Sequence, residues 1–421
     1  MDLYGELEWR GLVYDATEGV REAMARGQVT GYIGFDPTAA SLHVGSLLVI
    51  VALARMQRAG HSPIALVGGG TGLIGDPKPT AERALLTLEQ VDENVAGIRT
   101  QLGRFLDFES ATASARLVNN AEWLTKLSAI AFMRDIGKHF TVNAMLAKES
   151  VRRRIESEDG ISYTEFSYAL LQAYDFLELY DRCGCSVQMG GSDQWGNILA
   201  GIDLIRRVRG AKVHGVVLPL ITTASGTKFG KTEAGTVWLD PQLTTPYEFY
   251  QFWLNAEDRD AVRYLRFFTF LDQARVIEIE RAASEAPEKR IAQRELAREV
   301  TGLVHGDAAV VDAEAASEAL FAQRIDALTL EQIGKTLANV PSVTITALVA
   351  GWPVVDLLAA AGVTSSKGEA TRLIRGGGIY VNDRRITDEK QRLSPEQAIE
   401  GQLFVVRKGK KDNFLIRLAK P

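Results

Sequence analysis

Cysteine is nearly missing: the 421 residues contain only Cys183 and Cys185. As Cys-x-Cys they sit too close for a comfortable disulfide, and no His or Cys cluster nearby completes a zinc site. They read as small core or loop residues of a protein kept in a reducing, cytoplasmic setting. Long apolar runs are missing too. No stretch of about 18 uncharged apolar residues occurs, which excludes a membrane-spanning helix. The opening "MDLYGELEWRGLVYDAT" is acidic and lacks the basic and apolar regions of a secretory signal. No internal repeat and no low-complexity tract is present.

What is present is an ordinary globular composition, long enough for two or three domains. The net charge of −5 hides an asymmetry. From Gly351 to Pro421 there are 13 Lys and Arg against 8 Asp and Glu, whereas the remainder holds 35 against 45. An acidic body with a basic tail points to a polyanion bound at the C-terminal end.

The first 220 or so residues alternate short apolar runs with helical patterns, the signature of a parallel sheet wrapped by helices. Strands are expected at "VTGYIGFD" (29–36), "SPIALVGGG" (62–70), "ARLVNN" (115–120), "CSVQMGGSDQ" (185–194) and "HGVVLPLIT" (214–222). Helices are expected at 43–60, 86–106 and 163–180. From about Thr245 the chain becomes helical and alanine-rich. The expected division is a Rossmann-like catalytic domain over 1–244, a helical domain over 245–327, a connection over 328–351 and an α+β domain over 352–421. In the last of these, "GIYVNDRRI" carries a hairpin signal with Asn-Asp at its turn.

Two glycine-rich stretches imitate nucleotide motifs. "GGGTGLIGDP" contains Gly70-x-Gly72-x-x-Gly75 after a strand, the dinucleotide fingerprint by pattern. That fingerprint needs a helix N-terminus at the pyrophosphate, and here Asp76-Pro77-Lys78-Pro79 follows at once. The glycines read instead as a close backbone approach that delivers Asp76 to the end of the strand. "SGTKFGKT" falls one residue short of a P-loop, and "KTEAGTVWLD" offers no helix after it. Taken alone, it is either a solvated basic turn or a loop presenting two ammonium groups and a hydroxyl.

The motifs taken together narrow the choice. "GFDPTAASLHVGSLL" (34–48) resembles the HIGH signature of class I aminoacyl-tRNA synthetases, and "KFGKT" resembles their KMSKS loop. With "GGGTGLIGDP", "YTEFSYALLQAYDF" and "GGSDQWGN", the whole chain resembles the bacterial-type tyrosyl-tRNA synthetases, and the segment from Trp352 resembles their S4-type RNA-binding fold. This resemblance implies ATP with Mg2+, tyrosine and tRNA(Tyr) as reactants, a homodimer, and no resident metal.

It also implies residue roles. Thr38, His43 and Arg83 would serve the phosphates, with Lys228, Lys231 and Thr232 closing over them as charge develops on the pyrophosphate. Asp36, Gly45, Ser46, Gly191 and Asp193 would lie along the nucleotide, with Asp193 a bidentate acceptor for ribose hydroxyls. Ser46 departs from the signature, which has a second histidine there. Tyr168, Gln172 and Asp76 would surround the substrate ammonium, Gln194 its carboxyl group, and Tyr32 with Asp175 its phenol. Tyr168, Gln172 and Asp175 share one helical face by their spacing, which by itself also fits a polar surface stripe. A buried Asp–Tyr pair left unpaired by phenylalanine would reject it, a selectivity for which tyrosyl-tRNA synthetases are themselves the standing example. Lys367, Arg372, Arg375, Arg384 and Arg385 would meet tRNA phosphates. A tryptophan enzyme, an RNA-binding relative without catalysis and a nicotinamide enzyme are the competing readings. Indole has no hydroxyl for Tyr32 and Asp175 to read.

Overall fold

The computed structural model describes residues 2–77, 85–156, 160–222, 229–232, 235–321, 324–346, 351–409 and 412–419. The chain separates into two compact units, Met1–Asp240 with Ala256–Leu296 and Pro241–Asn255 with Ala297–Pro421.

The first unit is built on a six-stranded sheet. Its strands are β1 (Asp15–Ala16), β2 (Thr30–Phe35), β3 (Ser62–Val67), β4 (Arg116–Asn119), β5 (Cys185–Gly191) and β6 (His214–Leu218). Their order is β1-β6-β5-β2-β3-β4, parallel throughout except for β1, which pairs antiparallel with β6. The apolar runs that mark β3 and β6 are buried along almost their whole length, as a sheet covered on both faces requires.

The strand order reverses between β2 and β5, with β3 and β4 added on one side and β6 on the other. Open α/β sheets bind ligands at the carboxyl ends of strands at such a point. Three helices flank it. The first, α1 (Val44–Arg58), is capped by His43, and its chain leaves through Gly60 at φ 89. The second, α2 (Tyr163–Cys183), is capped by Ser162 and stopped by the left-handed Gly184. The third, α3 (Trp195–Arg209), stops at Gly210, also left-handed. Apolar faces of α2 and α3 meet in a core containing Phe176, Leu179, Leu204 and Ile205. After β6 the expected run to residue 222 ends early, at Leu218, and a short antiparallel pair follows, β7 (Lys231–Thr232) with β8 (Gly235–Thr236).

The second unit closes on a five-stranded sheet of β9 (Ser342–Thr346), β10 (Ile379–Val381), β11 (Arg384–Arg385), β12 (Leu403–Lys408) and β13 (Asp412–Ala419). Its order is β11-β10-β12-β13-β9. Asn382 and Asp383 both take positive φ, the backbone that a two-residue hairpin turn demands. Here the chain differs from the expected layout. The stretch 328–351 is not a bare connection, because it supplies the helix Leu330–Thr336 and the edge strand β9, parallel to β13. "SVTIT" is β-branched and alternates in burial, so it suits a half-covered edge. The helical stretch is divided as well. Asp258–Phe268 and Gln273–Glu285 belong to the first unit. In the second, Ala316 and Ala319 share an apolar cluster with Ile333, Ile399, Leu403 and Leu415.

Candidate active site

The carboxyl ends of β2 and β5 open into a cavity of about 640 Å³. Tyr32, Asp36, His43, Gly45, Ser46, Asp76, Tyr168, Gln172, Asp175, Gly191, Asp193 and Gln194 all line it. Twelve residues from five separate stretches of sequence therefore share one space. Thr38 does not line it; it is exposed two residues beyond Asp36, its N–H donating to the Asp36 carbonyl at 2.9 Å. Lys228 and Arg83 lie outside the described residues, as do the side chains of Lys231 and Thr232, whose backbone forms β7.

At the closed end of the cavity the strands bring two buried polar atoms together. Tyr32, 1% exposed, stands opposite Gln188 across the β2–β5 pair. Neither the Tyr32 hydroxyl nor Gln188 Oε1 has a hydrogen-bond partner among the described residues. Such orphans are costly and ask for a ligand or water. Burial raises the Tyr32 phenol far above its ordinary range. Beside them is Asp175, 2% exposed. Its carboxylate accepts from Asn120 Nδ2 at 2.9 Å and from Trp123 Nε1 at 2.8 Å. Burial outweighs these two donors and pushes its pKa up to about 8.

The middle of the cavity is a hydrogen-bonded chain of acids. Asn120 Nδ2 also donates to Thr71 Oγ1 at 3.0 Å, Thr71 donates to Asp36 Oδ1 at 2.8 Å, and the Tyr168 hydroxyl donates to Asp36 Oδ2 at 2.8 Å. Asp76 lies beside this chain, accepting from Gln194 Nε2 at 3.0 Å and from Asn197 Nδ2 at 3.4 Å. Burial lifts it to about 6, helped by the nearby charges of Asp36 and Asp193 and resisted by the two amides. Lys148 supplies the compensating positive charge, and burial pulls its ammonium down to about 8 against the attraction of Asp76. Such a pocket suits a cation held among carboxylates.

At the α1 end the helix start is organised by its own histidine. His43 Nδ1 accepts from the Gly45 N–H at 3.0 Å. In the neutral ring, the proton then sits on Nε2, which can donate outward. Gly45 was expected to make room for the nucleotide. The structure gives a nearer reason, since a Cβ there would lie 2.6 Å from the imidazole Cε1. The entry to β7 is pinned to the same place. Gly230, at φ 81, would put a Cβ 2.7 Å from Val44 Cγ2, and its carbonyl accepts from Val237 N. Phe229 stacks on Phe268, with ring centroids 5.5 Å apart.

In the second unit, Arg372 and Arg375 lie on the helix Lys367–Arg375, and Arg384 with Arg385 form β11. All four are exposed, as is Lys367. Arg385 lies over Gly377, Arg375 pairs with Glu389, and Lys367 pairs with Asp356. Arg407, stacked 3.9 Å above the Tyr380 ring, joins the same sheet.

Sequence reasoning missed Thr71, Asn120, Trp123, Lys148, Gln188 and Asn197. Asn120 ends the expected strand "ARLVNN", and Asn197 closes "GGSDQWGN", so position at a strand end or in a motif could have found both. Trp123 and Lys148 carry no such signal. Among the described residues no group of His, Cys, Asp and Glu is arranged to hold a metal ion.

Comparison with known proteins agrees with this geometry. Residues 24–322 match the family described as tRNA synthetases class I (W and Y), and residues 332–416 match the tyrosine–tRNA ligase SYY-like C-terminal domain. The chain is 54% identical over 417 residues to the tyrosine–tRNA ligase of Roseiflexus castenholzii, covering 98% of each chain. It is 53% identical over 423 residues to that of Geobacillus stearothermophilus, covering both fully. Among solved structures it is similar to a C-terminally truncated mitochondrial tyrosyl-tRNA synthetase of Aspergillus nidulans. The TM-score is 0.69 at 31% identity, over 76% of this chain and 94% of that one. A tryptophanyl-tRNA synthetase from Encephalitozoon cuniculi, at 13% identity and a TM-score of 0.53, shares the fold. The chain belongs to the class I tRNA synthetases of the tryptophan and tyrosine type, on the tyrosine–tRNA ligase branch of that family.

Proposed function

We propose that the cavity binds tyrosine lengthwise, joins it to ATP as tyrosyl-adenylate, and passes the tyrosyl group to the terminal adenosine of tRNA(Tyr). The observation that carries this reading is the closed end of the cavity. Among the described residues its buried Tyr32 hydroxyl and Gln188 oxygen lack partners next to Asp175, while Asp76, Asp36 and Tyr168 lie further out. A phenol at the inner end and an ammonium at the acids satisfy both regions at once, whereas an indole N–H only donates and offers the Tyr32 hydroxyl no acceptor.

The substrate carboxylate is already ionised near neutral pH, so attack on the α-phosphorus needs alignment rather than a general base. Gln194 orients that carboxylate, and Gly191 and Asp193 receive the adenosine ribose. A Cβ at Gly191 would lie 2.6 Å from Asp193 Oδ1, so glycine keeps that approach open. Asp36, Gly45 and Ser46 line the nucleotide side. His43 Nε2 faces the phosphates with Thr38, and Lys228, Lys231, Thr232 and Arg83 complete the positive surface that stabilises the departing pyrophosphate. Magnesium enters as the counter-ion of the nucleotide, a part of the substrate.

Lys367, Arg372, Arg375, Arg384 and Arg385 meet tRNA phosphates, which makes tRNA affinity fall with salt. A homodimer and a cytoplasmic location complete the reading; no described helix is long and apolar enough to cross a membrane. The decisive experiment is tyrosine-dependent exchange of labelled pyrophosphate into ATP, with tryptophan and phenylalanine as controls. Exchange with tyrosine alone is expected. Exchange with tryptophan, or with no amino acid, overturns the assignment.

A further inference from the structure

We infer that Asn197 is a positioning residue for the ammonium subsite and that Lys148 fixes which way its amide faces. This inference rests on the tyrosine reading of the cavity given above.

Asn197, on α3, sits among Asp76 and Gln172 of that subsite and Gln194 of the adjoining carboxyl site. Its Nδ2 lies 3.0 Å from Gln172 Oε1, 3.3 Å from Gln194 Oε1 and 3.4 Å from Asp76 Oδ1. Its Oδ1 accepts from Lys148 Nζ at 3.4 Å. A primary amide fits its slot either way round, and only its neighbours choose. Turned over, Asn197 would set an oxygen against three oxygens and an NH2 against an ammonium. Lys148 has donors only, so it is satisfied by Oδ1 alone and excludes the wrong orientation.

The chosen orientation propagates. Of the two Asn197 N–H protons, one serves Gln172 Oε1 at 3.0 Å and the other is shared by Gln194 Oε1 and Asp76 Oδ1, while Gln194 Nε2 donates to Asp76 Oδ2 at 3.0 Å. Asp76 Oδ2 thereby receives a full amide donor and Oδ1 a shared one, which together set the orientation of the carboxylate in the ammonium subsite. Gln172 Oε1 is fixed in the same way, with a second lone pair still available. Asn197 thus acts through Asp76, Gln172 and Gln194. Lys148 acts one step further out, through Asn197.

The test is pyrophosphate exchange on the full-length protein, with KM measured separately for tyrosine and ATP. The set comprises wild type, Asn197→Ala, Lys148→Met and Lys148→Arg. Asn197→Ala is expected to raise the tyrosine KM about tenfold, as for a lost hydrogen bond to a charged group, while the ATP KM moves less than about twofold. Lys148→Met is expected to raise the tyrosine KM about threefold or more, and Lys148→Arg, which keeps a cationic donor, to restore it. An unchanged tyrosine KM in Asn197→Ala, or parallel increases in both KM values, overturns the positioning role. Equal defects in the Met and Arg variants overturn the orienting role of Lys148. Should Asn197→Ala melt far below wild type, the Lys148 pair carries the test. Absence of tyrosine-dependent exchange in wild type is a different result, and sinks the tyrosine reading itself.

Discussion

The Tyr32 hydroxyl shares with Gln188 Oε1 the lack of a hydrogen-bond partner among the described residues, and as the one that can be removed by a single conservative change it is the more informative atom. Tyr32→Phe removes an orphan donor from the free protein, so the folded state should lose little or no stability. Substrate selection should suffer instead: the tyrosine KM is expected to rise roughly five- to tenfold, and phenylalanine to compete better, read by exchange with both amino acids. A gain in selectivity would remove Tyr32 from phenol recognition. Asp76 yields a pH prediction. Its neighbours are Asp36, Asp193, Lys148 and Tyr168, and burial among them holds its pKa near 6. Only the carboxylate attracts an ammonium, so kcat/KM for tyrosine should fall as pH drops through about 6. A bound ammonium favours the carboxylate, so kcat at saturating tyrosine should show that limb at lower pH or not at all. For stability the sign is opposite. A folded pKa above the unfolded value of about 3.9 means that the free protein loses stability as pH rises from about 4 to 6 through this group. An acid limb of equal position in kcat and kcat/KM would assign the titration elsewhere.

At the scale of elements, the helix Asp258–Phe268 depends on two arginines from distant parts of the chain. Arg10 Nη1 donates to the carbonyls of Arg266 and Thr269, and its Nη2 to that of Leu271. Arg55, from α1, reaches the Phe267, Arg266 and Thr269 carbonyls. Both are 2% exposed, and they satisfy carbonyls that a helix C-terminus leaves open, with positive charge at the negative end of the dipole. The same helix bears Tyr264 and Phe268, against which Phe229 packs at the entry to β7. Arg55→Met should therefore cost roughly 2–4 kcal/mol, measured as a shift of the denaturation midpoint, because the Phe267 carbonyl loses its arginine donor and those of Arg266 and Thr269 keep only Arg10. A loss below about 0.5 kcal/mol would show that Arg10 alone suffices. Neither arginine was legible beforehand. Periodicity marks the face a helix buries, and α1 is buried almost all round, so Arg55 looked like an ordinary terminal charge. Strands β2 to β6 of the first sheet were legible because their apolar runs are short and alternate with helical patterns; the two-residue β1 was not. Strand β9 was not, since five alternating residues between irregular stretches resemble any loop. For the site, motifs located Asp76, Asp193 and the face of α2 bearing Tyr168, Gln172 and Asp175. They could not show Trp123 or Lys148, whose roles arise only when separate strands and helices converge.

For the molecule as a whole, surface composition bears on assembly. Among the described residues fourteen large hydrophobic side chains are exposed, and six of them fall between residues 130 and 163: Ile130, Met133, Val142, Leu146, Ile155 and Tyr163. Tyr163 is 75% exposed although it opens α2, the helix that carries Tyr168 and Asp175 into the cavity. Apolar exposure concentrated in one segment of the first unit marks a surface meant to be covered. A patch that meets its own copy across a two-fold axis closes on itself without leaving an edge, the commonest solution for a soluble oligomer. On this ground we propose a homodimer whose contact includes these six residues. Placing two carboxylates there, as Ile130→Asp with Val142→Asp, should desolvate charges in any such contact and drive the protein to a 46.1 kDa monomer in sedimentation velocity. Wild type should sediment at twice that mass, and the same substitutions should leave its melting temperature, measured at a dilution where wild type has dissociated, nearly unchanged. A wild-type protein that sediments as a monomer at micromolar concentration, or a double variant that remains dimeric, would move the contact away from this segment.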